Sequence, residues 1–372
     1  MKVLIIINNH LTNLFMYAFY LQNKKKYLNH QFQFIIDHDI YNSKNSIIDK
    51  KLIKKFIGRF PKRIAINTVK INKNYEKFFI KNFLRLFINW KENINIINQN
   101  KIKICPLMDK NYKEIWVGNS IMIDYFNSNN LINRFEHGIG DFTTFFNKKN
   151  FIKILKLKIE NYINKKLFQI ELDLKSTLRT ILVLKKKIKF NNIKQIKKQF
   201  LIESINFLKI KKKFTKNNVL ILYPFDEIIK NNEKTIHKDY AEYCVDAIKR
   251  LNVYKSLTTI YVKAKYANLV NVKKFILHLK QKTNIKIKLL NISSYKNIEY
   301  YLIDMRPKAI LSKINLGLYL FKKIINNKYT FINTDDIFYQ LSLQEMLSKK
   351  TLKILNNWKL ANNIAIKFFV RH

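Results

Sequence analysis

The stretch "NRFEHGIGDF" (133–142) holds an acid, an imidazole and a second acid, Glu136, His137 and Asp141, spaced by Gly138 and Gly140. Those two residues are part of only five glycines in a chain of 372 residues. A carboxylate whose pKa is raised by burial can take a proton from a hydroxyl as a general base. An imidazole can do the same near neutrality, so His137 is the alternative base. The glycines let the backbone turn sharply and come close to a ligand. Asp141 suits a hydrogen bond to the loop or to a bound acceptor.

Other chemistries lack their residues. No Walker A segment and no GxGxxG follows the first apolar run, and "GIG" is too short for either. No HExxH and no histidine cluster occurs, so no catalytic metal is expected. Cys105 and Cys244 have no metal-ligand spacing and are expected as two reduced, buried thiols.

A base at a glycine turn needs a rigid element to hold it. "LINRFEHGIGDF" begins as a strand and breaks at the glycines, which puts Glu136 at the carboxyl end of a strand, where open parallel sheets carry their sites. The rest of the chain supplies such sheets. "KVLIIINN" is the continuous apolar run of a strand buried on both faces, and the helical pattern "LTNLFMYAFYLQN" follows it. "FQFIIDHD", "RIAINTV" and "EIWVGNS" read as further strands, with a Lys-rich helix between the first two. A second alternation starts at "NVLILYPFDE" and continues through "TTIYVKAKY", "KIKLLN", "AILSKI" and "YTFIN", before a helical tail from "FYQLSLQEM" onward. His237, in "TIHKDYAEYC", is expected in a surface loop that opens the second half's first helix.

The resulting fold expectation is α/β, with two Rossmann-like domains facing a cleft in the GT-B manner. Residues 1–150 form the N-terminal domain. Residues 151–214, without Gly or Pro and with Leu/Ile among lysines, form basic amphipathic helices that join it to a C-terminal domain over 215–372.

The formal charge is +46, from 71 Lys and Arg against 25 Asp and Glu. Lys, Asn and Ile are over-used together, and tracts such as "KKKIKF" and "KIKKKF" suit a solvated or membrane-facing helix. No zinc-finger spacing, RRM-like aromatic block or helix-turn-helix is present, so the partner expected for this charge is an anionic membrane surface or a phosphate-bearing substrate, not nucleic acid. The apolar run Val3 to Ile7 is too short for a signal peptide, and no run approaches the ~18 apolar residues of a membrane span. The expected location is the cytoplasm, at the inner face of the membrane.

The segment "EIWVGNSIMIDYFNSNNLINRFEHGIGDF" resembles the N-terminal signature of bacterial sialyltransferases and polysialyltransferases, an acidic pair followed by glycine. The resemblance implies that Glu136 is the general base and Gly138 the motif glycine, with His137 where the second acid stands. Those families carry a later KxHP segment that binds the phosphate of a cytidine monophosphate (CMP) donor. The corresponding run here is "IYVKAKYANL", which keeps Lys263 but has Lys265 and Tyr266 in place of His-Pro. A lysine can still neutralise a leaving phosphate as a point charge. "IEYYLIDMRPKAILSKINLGLYL" is similar to a third segment, implying Glu299 at the donor nucleoside and Ser312 by its phosphate. Asn315 and Leu316 replace that segment's later serine pair.

The implied activity is inverting transfer of sialic acid or a related nonulosonic acid from a CMP-activated donor to a glycan or glycolipid acceptor, in synthesis of capsule or lipooligosaccharide. The donor is a substrate, and neither cofactor nor obligatory metal is implied. Alternatives are a GT-B transferase using CMP-Kdo or an activated polyol phosphate, or a degenerate, non-catalytic glycan-binding protein.

Overall fold

In the computed structural model the described residues are 1–7, 10–37, 50–72, 88–108, 112–118, 122, 125, 131–135, 159, 162–163, 178–182, 193–208, 213–224, 234–264, 269–290, 304–313 and 329–344. They fold as two compact units, one up to Leu208 and one from Lys213 onward. Each is a parallel sheet with helices.

The first sheet contains β1 (Lys2–Ile7), β2 (Gln31–Asp37), β3 (Arg63–Val69), β4 (Tyr112–Val117), β5 (Leu131–Phe135), β6 (Leu178–Leu182) and β7 (Ile193–Gln195), in the order β3-β2-β1-β4-β5-β6-β7. Every pairing is parallel. β1 lies inside the sheet between β2 and β4, and Val3 to Ile7 are completely buried. A strand covered on both faces has to be apolar at every position, and this is why "VLIII" carries no alternation.

One face of this sheet is aromatic. Phe32, Phe34, Trp116 and Phe135 project from the strands, and Phe19 of α1 (His10–Gln22) and Tyr27 of the short α2 (Lys24–Tyr27) meet them edge to face. α3 (Lys50–Ile57) contributes Phe56, whose ring lies 6.3 Å from that of Phe34. The other face is aliphatic, with Leu4, Ile6, Ile35, Ile115 and Val117 packed against Ile96, Ile97 and Ile104 of α4 (Trp90–Met108). A last helix of this unit, α5 (Lys198–Leu208), lies on α1, where the Ser204 hydroxyl donates to the Leu14 carbonyl at 2.8 Å.

The second sheet contains β8 (Asn218–Tyr223), β9 (Thr259–Ala264), β10 (Lys286–Leu289), β11 (Ala309–Ser312) and β12 (Thr330–Asn333), in the order β10-β9-β8-β11-β12, again all parallel. Val219, Ile221, Ile260, Val262 and Leu311 share one core with α6 (Lys234–Lys249), α7 (Leu269–Lys282) and Leu341 of α8 (Asp335–Gln344).

Three expectations change. Residues 178–182 and 193–195 are strands of the first sheet, not parts of basic helices, and α5 docks on α1. His237 lies within α6 and is 1% exposed, not in a surface loop. Cys244 is buried as expected, but Cys105 on α4 is exposed. Among the described residues no helix is long and apolar enough to cross a membrane.

Candidate functional site

Both sheets place strands 1 and 4 of their own half side by side at the point where the winding reverses direction: β1 beside β4, and β8 beside β11. In open α/β sheets ligands bind outside the carboxyl ends of the strands at this reversal. Each unit therefore has one such place.

In the first unit β5, next to β4, ends at Phe135. Glu136, His137, Gly138, Gly140 and Asp141 lie outside the described residues. The strands that lead to them are tied together by an acid that sequence reasoning missed. Glu114 of β4 is 1% exposed and its carboxylate accepts hydrogen bonds from four side chains. The Tyr27 hydroxyl donates at 2.7 Å, the Trp116 indole N–H at 3.0 Å and the Asn133 amide at 2.8 Å. The Lys26 ammonium adds a charge-assisted bond. Burial alone would push this carboxyl up, but the bonds from Lys26, Trp116 and Tyr27 and the Lys26 charge outweigh it and hold the group at about 2. A carboxylate so saturated with donors is an anchor for β4 and β5, not a base. The visible signal is the two-residue spacing Tyr112, Glu114, Trp116, which puts an acid on the same face as two aromatic residues.

In the second unit the registers bring two expected residues to one level. Lys263 of β9 pairs with Leu222 of β8, and Ser312 follows Leu311, the partner of Ile221, so Ser312 is level with Leu222 too. Lys263, Leu222, Ser312 and Asn333 thus form one row at the carboxyl edge. Lys263 and Ser312 flank the reversal from either side of β8, about 10 Å apart by the usual strand spacing. The Ser312 hydroxyl donates to the Lys313 carbonyl at 2.7 Å, and the Ser312 carbonyl accepts from the Thr334 N–H at 3.0 Å. The half-buried Lys263 ammonium donates to the Ala264 carbonyl at 3.3 Å. Lys265 and Glu299 lie outside the described residues.

His237 does not join this row. It belongs with Tyr223, whose hydroxyl lies 2.6 Å from the imidazole Nδ1, and Tyr223 faces the core shared by Ile221 and Val262. Side chains alternate between faces along a strand, so Tyr223 and its neighbour Leu222 point to opposite sides. Burial, then the charges of Lys274 and His278, push the His237 imidazole down to about 4, so it is neutral in the core. Among the described residues no group of three or more His, Cys, Asp or Glu is placed to hold a metal ion.

No protein-family model matches the chain, and no curated protein matches its sequence. Several solved structures are similar to it over most of the chain. A sialyltransferase GT-B domain from Photobacterium damselae is similar over 92% of this chain and 95% of its own, at 14% identity and a TM-score of 0.47. An E. coli heptosyltransferase solved with ADP-2-deoxy-2-fluoro heptose is similar over 89% and 88%, at 9% identity and a TM-score of 0.38. A UDP-N-acetylglucosamine 2-epimerase from Rickettsia bellii is similar over 90% and 78%, at 12% identity and a TM-score of 0.42.

Proposed function

We propose that this chain is an inverting glycosyltransferase that moves sialic acid or a related nonulosonic acid from a CMP-activated donor to a glycan acceptor of the cell surface. Glu136 takes the proton of the acceptor hydroxyl as that oxygen attacks the anomeric carbon. The bond from that carbon to the CMP phosphate oxygen breaks, and the transition state has oxocarbenium character. The departing phosphate is neutralised by Lys263 and Lys265 and receives hydrogen bonds from Ser312 and backbone amides. Glu299 faces the donor nucleoside, and Gly138, Gly140 and Asp141 shape the acceptor side.

The observation that carries this reading is the row through Lys263 and Ser312 at the β8/β11 reversal, a cation and a hydroxyl level with each other where parallel sheets take up ligands. The sequence resemblance of the Glu136 segment supplies the acid for the other substrate. The donor is tested by thermal unfolding with CMP-, UDP- and CDP-linked sugars. A ligand that binds only the folded state adds about 2.7 kcal/mol at a hundredfold excess over its Kd. CMP-sialic acid is expected to raise the Tm and the UDP- and CDP-linked sugars to leave it unchanged. A rise with a UDP- or CDP-linked sugar and none with the CMP-linked one contradicts the proposal.

A further inference from the structure

One margin of the first sheet is basic throughout. Between residues 50 and 72, which cover α3, the turn after it and β3, there are eight Lys or Arg and no Asp or Glu. Lys50, Lys51, Lys54, Lys55, Lys62 and Arg63 are all exposed. The helix that carries four of them turns Leu52, Ile53, Phe56 and Ile57 into the core, and Lys55 lies over the ring of Phe207 of α5.

β3 is the terminal strand of its sheet. Ile66 pairs in register with Phe34, whose ring packs on Phe56 of α3, so Ile66 points to the α3 side of the sheet. Ile64 stands two residues earlier, at the irregularity where the pairing of β3 with β2 shifts. Ile64 is 46% exposed and Ile66 55% exposed, while Val69, on the opposite side from Ile66, is buried. Two bare β-branched residues thus stand beside a helix whose outer face is lysine. A patch that is both apolar and cationic, with no acid among its residues, fits a surface offering both hydrocarbon and phosphate.

We infer that the α3–β3 margin is a membrane-docking surface for an anionic lipid bilayer. Ile64 and Ile66 enter the boundary between headgroups and acyl chains, and the surrounding lysines and arginine meet lipid phosphates. Charge alone would serve nucleic acid equally well, but a nucleic-acid surface presents stacking aromatics or hydrogen-bonding side chains, not aliphatic ones. None of these residues takes part in the proposed reaction, and the inference does not depend on that reading. They are also other residues than those of the segment 151–214, to which the sequence pattern alone points.

The full chain is floated with vesicles of phosphatidylcholine alone and of phosphatidylcholine mixed equally with phosphatidylglycerol. Binding is expected only to the anionic vesicles. Ile64→Gln/Ile66→Gln should weaken it at least about tenfold, and Lys51→Glu/Lys54→Glu by a similar factor or more, since each basic residue near such a surface contributes on the order of 1 kcal/mol. Ile102→Gln, at another exposed isoleucine of the same unit, should leave it unchanged. The Ile66→Trp variant should show a blue shift of emission with anionic vesicles that the parent does not show. The inference is overturned if both double variants bind vesicles as the parent does, or if the emission of the Ile66→Trp variant does not move. It is equally overturned if the variants lose binding to RNA, or self-association, while vesicle binding persists.

Discussion

An acid that anchors a core and an acid that accepts a proton need opposite surroundings, and Glu114 shows the first kind in detail. These donors come from α2, β4 and β5, so removing the carboxylate takes one buried hydrogen bond each from Tyr27, Trp116 and Asn133. Glu114→Ala is expected to cost about 3 kcal/mol, read as a fall in Tm or in the urea midpoint. The Lys26 share of this is reduced by screening, because that side chain is 41% exposed. The folded-state pKa of about 2 lies below the ordinary 4.5 of a glutamate. The contribution is therefore complete above pH 4.5 and is lost as pH falls from there toward 2. The Tm difference between the parent and Glu114→Gln should shrink over that window. His237 has the opposite charge type and the same sign. Its folded pKa of about 4 lies below 6.5, so the unfolded chain binds its proton first and stability falls as pH drops from 6.5 toward 4. His237→Phe should flatten the Tm profile over that range, at the expense of the Tyr223 hydrogen bond.

Among the elements, the strands β1, β2, β4, β8 and β9 are legible in the sequence because buried parallel strands are short apolar runs that stop at polar residues. The Asn-rich α4 is not. "NINIINQNKIKI" has poor helix formers and β-branched residues throughout, yet Asn93, Ile96, Ile97, Asn100, Ile104 and Leu107 are its buried positions, at helical spacing. Packing, not propensity, makes it a helix. Asn100 shows why asparagine is useful there. Its side-chain oxygen accepts from the Asn72 N–H and its amide donates to the Asn72 carbonyl, both at 2.9 Å, which pins the chain leaving β3. Asn100→Ala is expected to destabilise by about 2 kcal/mol in chemical unfolding, more than an exposed Asn→Ala on the same helix, such as Asn98→Ala. β6 and β7 are hidden for a related reason. A lysine-rich tract with Leu and Ile every two to four residues satisfies a helix period and a strand period at once, and only pairing, of β6 to β5 and of β7 to β6, decides. Of the candidate site, the order of Lys263 and Ser312 is readable from motif resemblance. Their common level depends on the β8–β9 and β8–β11 registers, which no local pattern contains.

At the scale of the whole molecule, two separately wound parallel sheets give the chain two reversal points, one in each unit. On the proposed function, CMP should slow backbone hydrogen exchange at the carboxyl ends of β8, β9 and β11 and leave β4 and β5 unaffected. Protection confined to the first unit would contradict the assignment of the donor to the second. A charge of +46 speeds association with anions in general, with an effect that weakens as salt is added. The central claim is that Glu136 activates an acceptor for attack on a CMP-linked sugar. Its most direct test is the rate of CMP release from CMP-sialic acid, with a glycan acceptor present, by the parent chain and by Glu136→Ala of unchanged Tm. Acceptor-dependent release is expected from the parent, with a loss of at least about a hundredfold in the variant. Release by Glu136→Ala at the parent's rate, or none by the parent with any acceptor, would contradict it.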